Sequence, residues 1–158
     1  MNLTMKNNKI TFIDIINYFR NSSEFKIDSI DRSDRTNVDD IEKELTQNPE
    51  LIDALKIKAN GRFELTVIGF NTGYAKIIIV APYSEYAHNV GNRPIQYTTS
   101  IDFDKITTIE EVDKEIRNEF RNAQIRFLEE LVFNYKKLTK EISRLKDSIG
   151  DYEDTEWH

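Results

Sequence analysis

Arg62-Phe63-Glu64-Leu65-Thr66-Val67-Ile68-Gly69-Phe70-Asn71-Thr72-Gly73-Tyr74-Ala75-Lys76-Ile77-Ile78-Ile79-Val80-Ala81 is the stretch from which the fold is read. In its first half Phe63, Leu65 and Val67 alternate with Glu64, Thr66 and Ile68, the period of two expected of a strand with one buried face. Asn71-Thr72-Gly73 is a short hairpin turn containing glycine. Residues 74–81 are strongly β-forming, and the run Ile77, Ile78, Ile79, Val80 reads as a central strand covered on both faces. A third strand follows at 95–103, where Ile95, Tyr97, Thr99, Ile101 and Phe103 alternate with Gln96, Thr98, Ser100 and Asp102. Between the second and third strands lies a loop, 82–94, with two prolines and one glycine.

Upstream, Thr11 is placed to cap a first helix with Phe12, Ile16 and Phe19 on its apolar face. Phe25, Ile27 and Ile30 form a short strand-like piece, and 31–36 is a polar loop. Asn37 or Asp39 opens a second helix bearing Val38, Ile41 and Leu45. Asn48-Pro49 restarts it, since Asn caps well and Pro is tolerated at the first helical position. Leu51, Ile52 and Leu55 follow, and Asn60-Gly61 closes this helix.

Downstream, Thr107 with Glu110, or Thr108 with Glu111, makes a capping box. Helical periodicity then runs over 108–149, and Gly150 is placed to stop it. At ~1.5 Å per residue this helix is ~60 Å long, more than a domain of this size needs. Its apolar stripe passes through Ile109, Val112, Ile116, Phe120, Ala123 and Phe127 to Leu131. Between Ile125 and Tyr135 it widens to include Leu128, Val132 and Phe133, as expected of a helix buried against the sheet. From Tyr135 it narrows to a seam, Leu138, Ile142, Leu145 and Ile149, spaced three, four, three, four. A seam of this kind takes one partner helix. The N-terminal helix of the same chain could fill it, or another protein could, and periodicity does not separate the two.

The expected architecture is therefore α+β: N-terminal helices, a three-stranded antiparallel β-meander and a long C-terminal α-helix. Residues 1–150 form one domain, and 151–158 an acidic tail expected to be disordered. The 158 residues suffice for a core without staples, and with no cysteine there are no disulfides or thiolate sites. The net charge is −6; without Asp151, Glu153, Asp154 and Glu156, 24 acidic residues stand against 22 basic ones. A nearly balanced body argues against a nucleic-acid partner. The start of the chain has no signal-peptide pattern and no run is apolar enough to span a membrane, so an intracellular protein is expected.

The sequence offers no catalytic, cofactor or metal constellation. His88 has Glu85 near it, but zinc sites need at least three protein ligands. Asp28, Asp31 and Asp34 are spaced by three, where a calcium loop needs two and a central glycine. The five glycines are scattered, without a phosphate-cradling loop. Glu129-Glu130 reads as a solvated helix face. Carboxylates at the start of the long helix, with Lys136, Lys137, Lys140, Arg144 and Lys146 near its end, complement the helix dipole.

Residues 59–94 resemble the tail-completion, or head–tail joining, proteins of long-tailed phages. That family shows Thr-Gly-Arg-Leu-x-x-Ser-Ile running from a helix into a strand, a second strand, then Tyr-Ala-x-Tyr-Val-(Glu/His)-x-Gly-Thr. Gly61, Arg62, Phe63, Thr66 and Val67 follow the first pattern; Tyr83, Ser84, Tyr86, Ala87 and His88 follow the second. Asn60 replaces Thr, Phe63 replaces Leu, and Val90 adds a residue before Gly91. The resemblance implies a non-enzymatic phage structural protein, a ring subunit between head connector and tail tube, with no cofactor. It implies homo-oligomer or ring contacts through the 83–94 loop and the sheet edge, with other phage or host proteins as further partners.

The alternative is a small intracellular, phage-encoded binding or inhibitor protein of the host cytoplasm. It would act on a protein, or on a small anionic ligand through Arg62, Arg93 and the loop tyrosines, and would oligomerise through its last helix. The candidate interaction residues are Arg62, Tyr83, Tyr86, His88 and Arg93 around the loop, and Tyr135, Leu138, Ile142 and Leu145 on the seam.

Overall fold

The computed structural model describes residues 9–149, so the expected stop at Gly150 and the acidic tail lie outside the described residues. Thr11 caps helix α1 (Phe12–Arg20) with a complete capping box: the Asp14 N–H donates to the Thr11 hydroxyl, and the Thr11 N–H donates to the Asp14 carboxylate at 2.9 Å. Ile15, Ile16 and Phe19 of this helix are buried. Strand β1 (Lys26–Arg32) follows, where the sequence has its strand-like piece. Helix α2 (Ile41–Gln47) is capped by Asp40 rather than by Asn37 or Asp39, the Asp40 carboxylate accepting the Lys43 N–H at 3.1 Å.

The segment after Asn48-Pro49 corrects the sequence reading. Pro49–Leu51 makes one 3₁₀ turn, and Ile52–Lys58 is a strand, β2, not a helix. Leu51, Ile52 and Leu55 fit a helical face, but Ile52, Ala54 and Ile57 buried against Asp53, Lys56 and Lys58 exposed is the pattern the chain adopts. A short apolar run satisfies both periods, and pairing on both sides, with β1 and β3, decides between them. Asn60-Gly61 is correspondingly not a helix cap. Gly61 (φ 71°) and Arg62 (φ 65°) are both left-handed, as a primed hairpin turn requires, and the Ala59 N–H donates to the Phe63 carbonyl across it. Helix ends and hairpins use glycine for the same backbone freedom, so the signal does not distinguish them.

Strands β3 (Glu64–Gly69), β4 (Tyr74–Val80) and β5 (Gln96–Asp102) stand where the alternation predicts them. The described residues thus form a five-stranded antiparallel sheet in the order β1-β2-β3-β4-β5, two strands more than the expected meander. Its register aligns Ile57, Leu65, Ile79 and Tyr97 as one buried row, and Leu55, Val67 and Ile77 as the next. Contrary to expectation, β3 is the central strand and β4 is covered on one face. Ala75, Ile77 and Ile79 are buried, while Lys76, Ile78 and Val80 are half-buried. Helices α1 and α3 (Ile109–Ile149) bury their apolar stripes in the core on one face of the sheet, and the other face is only partly covered.

Helix α3 opens at the second of the two candidate positions with half of a box: the Glu111 N–H donates to the Thr108 hydroxyl at 3.1 Å, and the Thr107 and Thr108 hydroxyls, not the Thr108 N–H, reach the Glu111 carboxylate at 3.3 Å. Val112, Ile116, Phe120, Ala123 and Phe127 are buried. Edge-to-face rings link the layers: Phe19 to Phe25, Phe25 to Phe120, and Phe63 to Phe120 and Phe127, at 5.5–5.8 Å between centroids. Such pairs add ~0.5–1.5 kcal/mol each beyond the area they bury.

Candidate functional site

The order of the strands places two features at one end of the sheet. The Gly61-Arg62 turn enters β3 at Glu64, Glu64 pairs with Val80, and the β4–β5 loop leaves from Val80. Helix α3 passes that same end, since Phe63 packs on Phe120 and Phe127, and it continues beyond.

The β4–β5 loop is built from two small turns. The Ser84 hydroxyl accepts the Tyr86 N–H at 3.1 Å, the Ala87 N–H returns to the Ser84 carbonyl, and Ala87 itself is buried. The Asn89 N–H then donates to the Arg93 carbonyl at 2.8 Å, closing a turn in which Gly91 and Asn92 are left-handed. Tyr83 stacks on His88, 5.9 Å between centroids. The loop leans on α3 through the Asn134 side-chain amide, which donates to the Tyr86 carbonyl. Between them runs an open groove of about 620 Å³, lined by Glu85, Tyr86 and His88 from the loop and Asn134, Lys137, Leu138 and Glu141 from the helix. The structure therefore brings Tyr86, His88 and Leu138 together. Arg62 and Arg93 lie outside this groove.

From Ile125 onward the widened stripe departs from the expectation of a helix buried against the sheet. Ile125, Leu128, Val132 and Phe133 are 47–62% exposed, and Leu131 is half-buried. The widening of the stripe marks where the helix leaves the sheet. Contact with the core occupies one flank of α3 and ends at Leu131, which packs half-buried against it, so the extra apolar residues point outward. Lys137 covers one of them, its ammonium 5.8 Å from the Phe133 ring.

The seam is also longer than the sequence reading made it. Traced back from Tyr135, the alternation of three and four continues through Leu131 to Leu128, giving three heptads, Leu128 to Ile149. Leu138 and Ile149 are 42% exposed, Ile142 46%, Leu145 50% and Tyr135 65%. Apart from the β4–β5 loop, which shares its groove with Leu138, no described element lies over them. In particular the N-terminal helix does not: α1 packs on the first turns of α3, where the Tyr18 hydroxyl reaches Asp113 and Glu24 reaches Arg117. Burying a Leu or Ile side chain is worth ~1.5–3 kcal/mol, so half-covering each residue of this seam offers several kcal/mol to a partner. Leu128, Leu131 and Asn134 are the residues the sequence reading missed here, and for the first two the backward extension of the spacing was the available signal.

Among the described residues no three His, Asp or Glu side chains cluster as a metal site would, and no helix is long and apolar enough to cross a membrane. Comparison with protein-family models, with curated proteins and with solved structures finds no match.

Proposed function

We propose that this chain acts by binding protein, as a non-enzymatic assembly subunit whose docking element is the free end of α3. The observation that carries this is the seam: three heptads of apolar residues, continuous in spacing and half exposed, on a helix extending beyond the sheet that stabilises it. Solvated helices do not need such a stripe, and contiguous apolar surface marks interaction sites.

In its specific form the reading is a subunit of a phage tail-completion or head–tail joining ring, present in the assembled particle. The resemblance of residues 61–67 and 83–88 supports it, with the β4–β5 loop and the overhang facing neighbours. The strand β2, which stands where that family has a helix before the Gly-Arg pair, is a departure from it. The same departure favours the second reading, an intracellular phage-encoded binding or inhibitor protein that uses the same seam on a host protein.

Quantitative mass spectrometry of gradient-purified particles from the source lysate tests the choice. A constant low copy number per particle supports the ring subunit. Abundant protein in infected cells, absent from particles and held in a complex with a host protein, replaces it with the second reading.

A further inference from the structure

We infer that the free edge of β5 pairs with β5 of a second copy, antiparallel about Thr99, so that two sheets join into one across a two-fold axis. This goes beyond the reading of α3 as a docking element and uses none of its residues.

The two edges of the sheet are built differently. Strand β1 carries Lys26, Asp28, Asp31 and Arg32, and its pairing with β2 slips twice, between Ile27 and Ser29 and between Asp31 and Arg32. Charges and bulges of this kind keep an edge from adding a neighbour. Strand β5 has neither device. Its pairing with β4 runs from Gln96 to Asp102 without a shift, and it has no charge before Asp102 and no proline or glycine. Among the described residues no strand lies on its other side.

The ladder shows which backbone groups are free. The Ala81 N–H donates to the Ile95 carbonyl, and the Phe103 N–H to the Gly73 carbonyl. These bonds extend the β4–β5 register by one residue at each end, so the odd residues of β5 exchange bonds with β4. The N–H and C=O groups of the even residues therefore point away from the sheet. Gln96, Thr98, Ser100 and Asp102 are all exposed.

The order of side chains commits this edge to a second copy. Any extended peptide could use the backbone, but an isologous contact needs a strand that matches its own reverse. With Thr99 on the axis, Thr98 of one copy exchanges backbone bonds with Ser100 of the other, and Gln96 with Asp102. Even residues thus meet even residues, as the free groups require. Tyr97 comes opposite Ile101, and hydroxyl opposite hydroxyl at Thr98 and Ser100. Aromatic with β-branched and hydroxyl with hydroxyl are cross-strand pairs that stabilise sheets. The one charge, Asp102, meets the Gln96 amide, a donor, and lies ~20 Å along the strand from its own copy. A parallel pair in register would set the two Asp102 carboxylates side by side. Centring on Thr98 instead puts Asp102 against Pro94, which has no N–H, and centring on Ser100 carries Gln96 past the strand to Asp104.

Sedimentation equilibrium of the full chain across micromolar concentrations is expected to show monomer and dimer. Thr98→Pro removes an outward N–H and leaves the ladder to β4 whole. It is expected to weaken the dimer at least ~10-fold at unchanged circular dichroism, because the Ser100 carbonyl of the other copy loses its donor. Ile142→Glu is expected to leave the dimer unaltered. The chain has no cysteine, so single-cysteine variants report register. Under mild oxidation Thr99→Cys is expected to cross-link to its copy and Gln96→Cys to fail, because the two copies of residue 96 lie ~20 Å apart. Should Thr98→Pro disturb the fold, amide exchange in the wild type decides: protection at Thr98 and Ser100 that rises with dimer supports the pairing, and free exchange in the dimer overturns it. A wild-type chain that stays monomeric overturns the pairing, as does a folded Thr98→Pro chain that dimerises undiminished. Cross-linking by Gln96→Cys and not by Thr99→Cys overturns the register. The docking reading of α3 survives each of these failures, since Ile142→Glu and the particle measurement test it separately.

Discussion

The Tyr18 hydroxyl donates to the Asp113 carboxylate at 2.5 Å, and that bond fastens the first helix to the opening turns of the last. Arg117 completes the joint, its Nε 2.9 Å from the same carboxylate and its Nη1 on Glu24. Burial, then the bond to Asp113, pushes the Tyr18 phenol well above its ordinary value. The Tyr18 hydroxyl, and after it Arg117, holds the Asp113 carboxyl below the usual range against the opposing effect of burial.

Replacing Tyr18 by Phe is expected to cost about 1 kcal/mol, the low side for a bond to a charged group because Asp113 is 39% exposed. The sign with pH follows from the two shifts. The depressed Asp113 contributes stability that is complete above the unfolded value of ~3.9 and is lost as pH falls through the lower folded value. The raised Tyr18 contributes stability that is complete below ~10 and is lost as pH rises through its higher folded value. Denaturant melts across pH should therefore show the wild type converging on Tyr18→Phe at both extremes. A constant gap at all pH values would refute the assignment.

Gly69 stands under the first helix for lack of space. A Cβ there would lie 2.6 Å from two ring carbons of Phe12, and the backbone is not left-handed, so close approach alone demands glycine. Gly69→Ala is expected to displace Phe12 and to cost about 1–3 kcal/mol, measured by chemical unfolding. Adding Phe12→Leu to that variant should return part of the loss, because the ring is what the methyl meets.

The two halves of α3 should answer differently to the same truncation. Ile116→Ala empties a site that is 1% exposed and is expected to cost about 2–5 kcal/mol of unfolding free energy. Ile142→Ala, at 46% exposed, is expected to change the stability of the dilute chain by less than ~0.5 kcal/mol. A large loss at Ile142 in dilute protein would mean that something within the chain packs on the seam.

Asn134 ties the β4–β5 loop to the helix through the Tyr86 carbonyl. Asn134→Ala is expected to leave global stability within ~1 kcal/mol, since the bond is exposed. Amide exchange in residues 84–93 should quicken, with that of β4 and β5 unchanged. Equal protection in both chains would show that the buried Ala87 and the Ser84 turn hold the loop unaided.

Much of the architecture is legible in side-chain period. Thr11 with Asp14, the alternation in β3 and β5, and Thr108 with Glu111 are local signals that the folded chain obeys. Residues 52–58 are not legible in that way. Their apolar run is short, fits either period, and is settled by partners on β1 and β3 that lie tens of residues away. The burial of β4 misleads for a related reason: four apolar residues in a row state what a strand could bury, not whether a second layer exists to cover it. On the candidate site, the seam's spacing was readable and its emptiness was not. Whether α1 reaches the seam depends on the joint at Asp113 and Arg117, which are ordinary charged residues on a helix surface when read one at a time. Asn134 is equally silent, since its role comes from a loop some fifty residues earlier.

Because α3 leaves the core beyond Leu131 without a break in the helix, the angular phase of the free end is geared to the body. One residue inserted after Leu131 would turn everything beyond it by about 100° and advance it ~1.5 Å, whereas a whole heptad would move it ~10 Å and turn it by only about 20°. The core thus acts as a protractor for whatever the tip holds, and reach can change by heptads while aim is kept.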